Sequence, residues 1–242
     1  MLELIAAASA TALATGLGAI PVFMLGPARA RALRPALLGF AAGTMGVASI
    51  VGLILPALDS GSAGSVAAGL AVGVAFLLLT RRRLRPAADA SAQVRSRRLS
   101  TLMFVILLVH SLPEGLAIGT AYASNEEGLA LFVIVAIAAQ NIPEGTSVAI
   151  PMAAGGATAS HQFWTAVLTS APQPVGAVIA YLAVEQVTGL LPFSFGFAAG
   201  AMLALIVIEL LPRSVPESPR AAFGGIAVGA ALMLALSAAL GV

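Results

Sequence analysis

The chain has 242 residues, 60% of them hydrophobic and 9% charged, with a mean hydropathy of +1.02. A water-soluble domain of this size does not carry apolar residues so densely over nearly its whole length, and the lack of cysteine excludes disulfides and thiolate metal ligands. The net charge of +2 rests on twelve basic residues, all arginine; their placement follows membrane topology and does not point to nucleic acid.

Apolar runs near 20 residues predict helices that cross a bilayer. Eight are expected, at about 4–26, 36–58, 64–80, 101–122, 129–152, 163–184, 192–212 and 221–241. The first continues past Gly16 and Gly18 without a charged leader region, so it reads as a true span and not a cleaved signal. The third is short. Small residues recur at packing spacing, as in Gly39-x-x-x-Gly43, Gly69-x-x-x-Gly73 and Gly196-x-x-x-Gly200, which lets helices approach closely in lipid. The fold class is therefore an all-α polytopic membrane protein, one domain over residues 1–242.

The arginines fall in three groups: Arg29, Arg31 and Arg34 after span one; Arg81, Arg82, Arg83, Arg85, Arg95, Arg97 and Arg98 after span three; and Arg213 and Arg220 after span seven. With eight spans all three loops lie on one side, and arginine-rich loops stay cytoplasmic. Glu3, Asp59, Glu126, Glu127 and Glu185 fall on the other side. Both termini are expected outside. The segment of about 81–100, rich in Arg, Ala and Ser, reads as a cytoplasmic loop serving topology and contact with anionic membrane lipid.

Chemistry concentrates in two copies of one pattern, His110-Ser111-Leu112-Pro113-Glu114-Gly115 and Gln140-Asn141-Ile142-Pro143-Glu144-Gly145. A carboxylate within a hydrocarbon layer costs roughly 3 kcal/mol or more, so it faces a partner or a water-filled path. Residues four apart share a helix face, which pairs His110 with Glu114 and Gln140 with Glu144 and leaves Asn141 beside Glu144. Pro113 and Pro143 cannot donate to the carbonyls of Val109 and Ala139, so the helices are expected to be broken there, with the freed carbonyls facing a cation path. Imidazole, carboxylate and amide oxygen without sulfur suit Zn²⁺, Fe²⁺, Mn²⁺ or Co²⁺. The competing structural reading, Pro-Gly kinks and a hydrogen-bonded histidine, does not explain a glutamate in the same frame of both helices.

At these residues the chain resembles the ZIP (Zrt/Irt-like) metal transporters, most of all their bacterial GufA-like branch. The stretch from Gly39-Phe40-Ala41-Ala42-Gly43 to Leu55-Pro56-Ala57-Leu58 is similar to that branch's second helix. Pro172-Gln173-Pro174-Val175-Gly176-Ala177 is similar to the opening of its sixth. The stretch from Gly196-Phe197-Ala198-Ala199-Gly200-Ala201-Met202 to Ile208-Glu209-Leu210-Leu211-Pro212 is similar to its seventh. The resemblance implies eight helices with outward termini, a bacterial inner-membrane location, frequent homodimers, and a mid-bilayer site for a divalent metal as transported substrate. Helices one, four, five and six would move as an elevator against the others. The implied first metal site maps to His110, Glu114, Gln140 and Glu144. The second maps to Ser111, Asn141 and Gln173, bridged by the two glutamates.

Here the chain departs from the pattern, because Gln173 stands where the family commonly has glutamate and no aspartate replaces it. Two carboxylates balance one divalent cation; a second would leave charge uncompensated at low dielectric. One firmly bound metal is expected, with Ser111, Asn141 and Gln173 orienting waters or ligands. Ile208 replaces the histidine that often precedes Glu209. That leaves two readings of Glu209, an exit-path ligand or an acid pairing with Arg213 at i+4. His161 is similarly either a release-side ligand or a solvated loop residue. The alternatives to transport are a non-transporting metal sensor or degenerate relative, and an intramembrane metal-dependent enzyme, against which the lack of a His-Glu-x-x-His pattern counts.

Overall fold

The computed structural model describes residues 1–83 and 92–242; the side chains of residues 92–103, 106, 127 and 188 lie outside the description. Among the described residues the chain is all helical. Seven helical stretches are long and apolar enough to cross a membrane: Leu2–Leu25, Pro27–Ser60, Ala63–Arg83, Gly128–Ala154, Ala159–Gln186, Leu191–Ser214 and Pro219–Leu240. The helix bearing the first motif copy, Ala92–Ala123, stands between the third and fourth of these.

In chain order the elements are α1 (Leu2–Leu17), α2 (Ile20–Leu25), α3 (Pro27–Val47), a π-helical stretch (Ala48–Ile54), α4 (Leu55–Ser60), α5 (Ala63–Arg83), α6 (Ala92–Ala123) and α7 (Glu127–Ala154). There follow α8 (Ala159–Thr169), α9 (Pro172–Gln186), α10 (Leu191–Leu205), a second π-helical stretch (Ile206–Leu210), α11 (Leu211–Ser214) and α12 (Pro219–Leu240). Proline opens α3, α9 and α12, where its missing N–H would have had no partner in any case.

Three expectations need correction. The third span is not short: α5 has 21 residues and carries Arg81–Arg83 in its last turn, where positive charge suits the helix dipole. The expected loop of about 81–100 is likewise largely helical. Its ends belong to α5 and α6, because alanine and arginine are good helix formers; residues 84–91, including Arg85, lie outside the described residues. Finally, α6 and α7 are not broken at Pro113 and Pro143, and both run through as continuous helices. The chain interrupts their neighbours instead, α1 from α2 around Gly18 and α8 from α9 at Ser170-Ala171.

The packing turns the usual soluble arrangement inside out. Phe223, Val228 and Leu232 on α12, and Val72, Leu78 and Leu79 on α5, face outward, while His110, Glu114, Gln140, Asn141 and Gln173 are buried. Two helix pairs are built alike. The sequence Gly-Phe-Ala-Ala-Gly opens the contact face of both α3 (Gly39–Gly43) and α10 (Gly196–Gly200). α3 mates with Gly225 and Gly229 of α12, and α10 with Gly69 and Gly73 of α5, in each case with backbone meeting backbone. Each of α3 and α10 then passes into a π-helical stretch followed by Leu-Pro. Between these pairs lie α6 and α7, packed on α9 and α1 respectively.

Candidate metal centre

His110 and Glu114 project from one face of α6, Gln140 and Glu144 from one face of α7, and all four are buried. His110 Nε2 lies 3.4 Å from Glu114 Oε1 and 3.8 Å from Glu144 Oε1. One ligand atom from each of the three falls within 4.8 Å of the other two. Around a tetrahedral first-row ion with nitrogen and oxygen ligands, neighbouring ligand atoms stand about 3.3 Å apart. The His110–Glu114 separation is already of that size, and the separation from Glu144 is slightly wider.

Neighbouring helices reach this point because two glycines admit them. A Cβ on Gly115 would overlap the Gln173 carbonyl of α9, and one on Gly145 would overlap the Thr15 carbonyl of α1. The close approach of α9 lets Gln173 donate through Nε2 to Glu114 Oε2 at 2.6 Å. Gln140 donates to the other oxygen, Glu114 Oε1. Gln173 and Asn141 form a reciprocal amide pair, with Asn141 Nδ2 donating to Gln173 Oε1 at 3.2 Å and Gln173 Nε2 to Asn141 Oδ1 at 3.3 Å. α1 completes the network: Asn141 Nδ2 donates to the Thr11 carbonyl at 2.7 Å, and the Thr11 hydroxyl reaches Gln173 Oε1 at 2.9 Å.

Four buried side-chain atoms here have no hydrogen-bond partner among the described residues: both ring nitrogens of His110, Gln140 Oε1 and Glu144 Oε1. Buried polar atoms are otherwise nearly always paired. An imidazole lone pair, an amide oxygen and a carboxylate oxygen without partners form a donor set for a cation. Glu144 also lines a cavity, with Leu107, Ser147 and Leu38, that reaches Arg34, Glu209 and Arg213.

The remaining sequence candidates are placed as follows. The buried Ser111 turns its hydroxyl back to the Leu107 carbonyl of its own helix, at 3.0 Å. Asn141 and Gln173 lie in the amide network already described. Glu209, buried on the second π-helical stretch, pairs with Arg213 at 2.7 Å and with Arg81 at 3.0 Å. His161 is exposed in the first turn of α8, away from the cluster, and its backbone N–H donates to the capping Thr158 hydroxyl. Sequence reasoning missed Thr11, a buried hydroxyl in an alanine-rich helix, and missed Arg81 as a partner of the buried Glu209 and Arg34 as a partner of the exposed Glu217.

All helical over its described residues, with apolar outer faces around a buried imidazole–carboxylate cluster, the chain has the build of a polytopic membrane protein. Residues 82–237 match the family model described as ZIP Zinc transporter, and the chain belongs to the ZIP family, whose members are transporters and not enzymes. It is 35% identical over 243 residues to the zinc transporter GufA of Myxococcus xanthus, covering 94% of this chain and 95% of that one. It is 33% identical over 246 residues to the zinc transporter ZIPB of Bordetella bronchiseptica, covering 94% and 78%. A putative zinc transporter of Arabidopsis thaliana is 34% identical over 235 residues; the match covers 94% of this chain and only 37% of that protein.

Proposed function

We propose that this protein carries divalent transition-metal cations into the cytoplasm, Zn²⁺ first among them with Fe²⁺, Mn²⁺, Co²⁺ and Cd²⁺ as further candidates. His110, Glu114, Gln140 and Glu144 ligate one ion midway across a bacterial inner membrane. The observation that carries this reading is the convergence of three ligand atoms within 4.8 Å, with buried polar atoms there that lack partners among the described residues. In this reading α6 is the fourth of eight spans, the whole chain is one transmembrane domain, and the arginine-bearing loops fix both termini outside.

The chemistry follows from the donors. Two carboxylates neutralise one divalent ion. The His110 nitrogen favours a first-row metal over Mg²⁺ or Ca²⁺. With an ion present, half a turn of the Gln140 amide would present its oxygen where Nε2 now donates to Glu114. A second ion is disfavoured twice over. It would add uncompensated charge, and it would meet the Gln173 N–H already directed at Glu114 Oε2. The cavity on the Glu144 side supplies the route by which the ion leaves, and transport requires the cluster to be reached from the other face in a second conformation.

Uptake of radioactive Zn²⁺ into proteoliposomes tests the proposal. The wild type should accumulate the metal, with the other cations competing in proportion to their affinity. His110→Ala should insert normally and accumulate almost none. Near-normal uptake by that variant would refute the assignment.

A further inference from the structure

Resting on the transport reading of the His110–Glu144 cluster, we propose that Arg34, Arg81 and Arg213 act as an electrostatic filter at the far mouth of the cavity, keeping the hard divalent cations of the cytoplasm, Mg²⁺ foremost, off Glu144. The cavity gives the problem its shape. It is lined at its inner end by the buried Glu144, whose Oε1 has no hydrogen-bond partner among the described residues. Mg²⁺ is bound through oxygen and is often held by one or two carboxylates. Once the cavity opens to the cytoplasm, nothing in the donor chemistry of Glu144 alone would turn such an ion away.

The mouth is built against it. Glu209, the carboxylate an entering cation would meet first, is held from two sides. Arg213 approaches from the next helical turn at 2.7 Å, and Arg81 from α5 at 3.0 Å. Arg34, which also lines the cavity, pairs with Glu217. Among the described residues three guanidinium groups thus face two carboxylates, and α5 adds the exposed Arg82 and Arg83 beside Arg81. One arginine would neutralise Glu209; the second leaves a surplus. Guanidinium does not titrate at any physiological pH, so the positive field is permanent.

Such a field lowers cation occupancy of the cavity whichever way the ion travels. For cargo arriving from the opposite face it favours release and opposes rebinding. For Mg²⁺ approaching from the mouth it opposes entry. Coulomb's law puts the effect of one guanidinium about 10 Å from a divalent ion at roughly four- to tenfold in occupancy for a local dielectric of about 50–80, as in a water-filled cavity, and higher at lower dielectric.

The test measures radioactive Zn²⁺ uptake into right-side-out membrane vesicles loaded with increasing Mg²⁺, each variant scaled to its own Mg²⁺-free rate. Arg81→Gln leaves the Arg213–Glu209 pair in place and should be inhibited at roughly three- to tenfold lower luminal Mg²⁺ than the wild type. Arg81→Lys keeps the charge and should behave as the wild type. Glu209→Gln leaves the guanidinium groups unopposed and should shift inhibition to higher Mg²⁺. It decides independently if Arg81→Gln fails to insert, because a merely structural role predicts no shift of opposite sign. Equal Mg²⁺ sensitivity across the set overturns the filter and leaves transport standing. No Zn²⁺ uptake by the wild type overturns both.

Discussion

The two Pro-Glu-Gly copies differ in what their neighbours do to the glutamate. Glu114 has both oxygens engaged, one by Gln140 and one by Gln173. Glu144 keeps Oε1 without a partner and faces the cavity. One carboxylate is anchored and the other is free. An anchored ligand is preorganised by the groups that hold it, whereas a free one can take up and release an ion without first breaking hydrogen bonds to protein. The asymmetry comes from outside the motif. α9 delivers a side-chain amide to α6, while α1 delivers a backbone carbonyl and a hydroxyl to the Asn141 and Gln173 amides near α7.

The sharpest way to break this comparison is to neutralise each acid in turn. Glu144→Gln and Glu114→Gln should each reduce Zn²⁺ uptake by about a hundredfold or more, since either leaves one negative charge against a divalent ion. Their stabilities should differ. Glu114→Gln removes a charged acceptor from two amide donors and turns an N–H toward at least one of them, costing about 1–3 kcal/mol, or roughly 2–10 °C in Tm. Glu144→Gln should leave Tm close to that of the wild type, because Oε1 makes no hydrogen bond to lose. Thermal unfolding in detergent distinguishes the two, and equal Tm losses would remove the distinction between anchored and free.

The next effect is a gain. Gln173→Glu restores a carboxylate beside Glu114 and Asn141 and removes the N–H directed at Glu114 Oε2. The negative charge would then suit a second cation, and metal content per chain, by elemental analysis after Zn²⁺ loading, should rise from one to two. A content of one in both proteins would mean that something other than this amide sets the number of ions.

Much of this geometry was legible in the sequence, and the remainder was not, for definite reasons. The pairing of His110 with Glu114 follows from helix periodicity alone, and two acids in apolar runs have to find partners. Gln173 could be read as a missing carboxylate, but its four-way hydrogen bonding could not, because that depends on how closely α9 approaches Gly115. Hydropathy ends α5 at the first arginine, although the Arg81–Arg83 turn is helical and carries a partner for Glu209. Local sequence also suggested breaks at Pro113 and Pro143, whereas α6 and α7 run through both prolines as continuous helices. The repeated Gly-Phe-Ala-Ala-Gly was visible; its mating with glycines of α12 and α5 is tertiary information.

The smallest effects test the comparison at the position just before each Leu/Ile-Pro-Glu. Asn141 in the second copy bonds to Gln173 and to the Thr11 backbone, so it ties α7 to both α9 and α1. Asn141→Ala should free the Gln173 amide to rotate away from Glu114 and weaken apparent Zn²⁺ affinity by roughly tenfold, the lower end for a group that orients a ligand. Ser111 occupies the matching position in the first copy, equally buried, but its hydroxyl is spent on the Leu107 carbonyl one turn back. Its one proton is committed there, so it cannot donate to and orient a ligand as the Asn141 amide does. Ser111→Ala should therefore change the KM for Zn²⁺ by less than about twofold, and the pair should separate cleanly in a concentration series of initial uptake rates. If Ser111→Ala proved as damaging as Asn141→Ala, the first copy would be using that hydroxyl on the ion in a conformation where it leaves its own helix, and the two halves of the site would be more alike than their hydrogen bonds suggest.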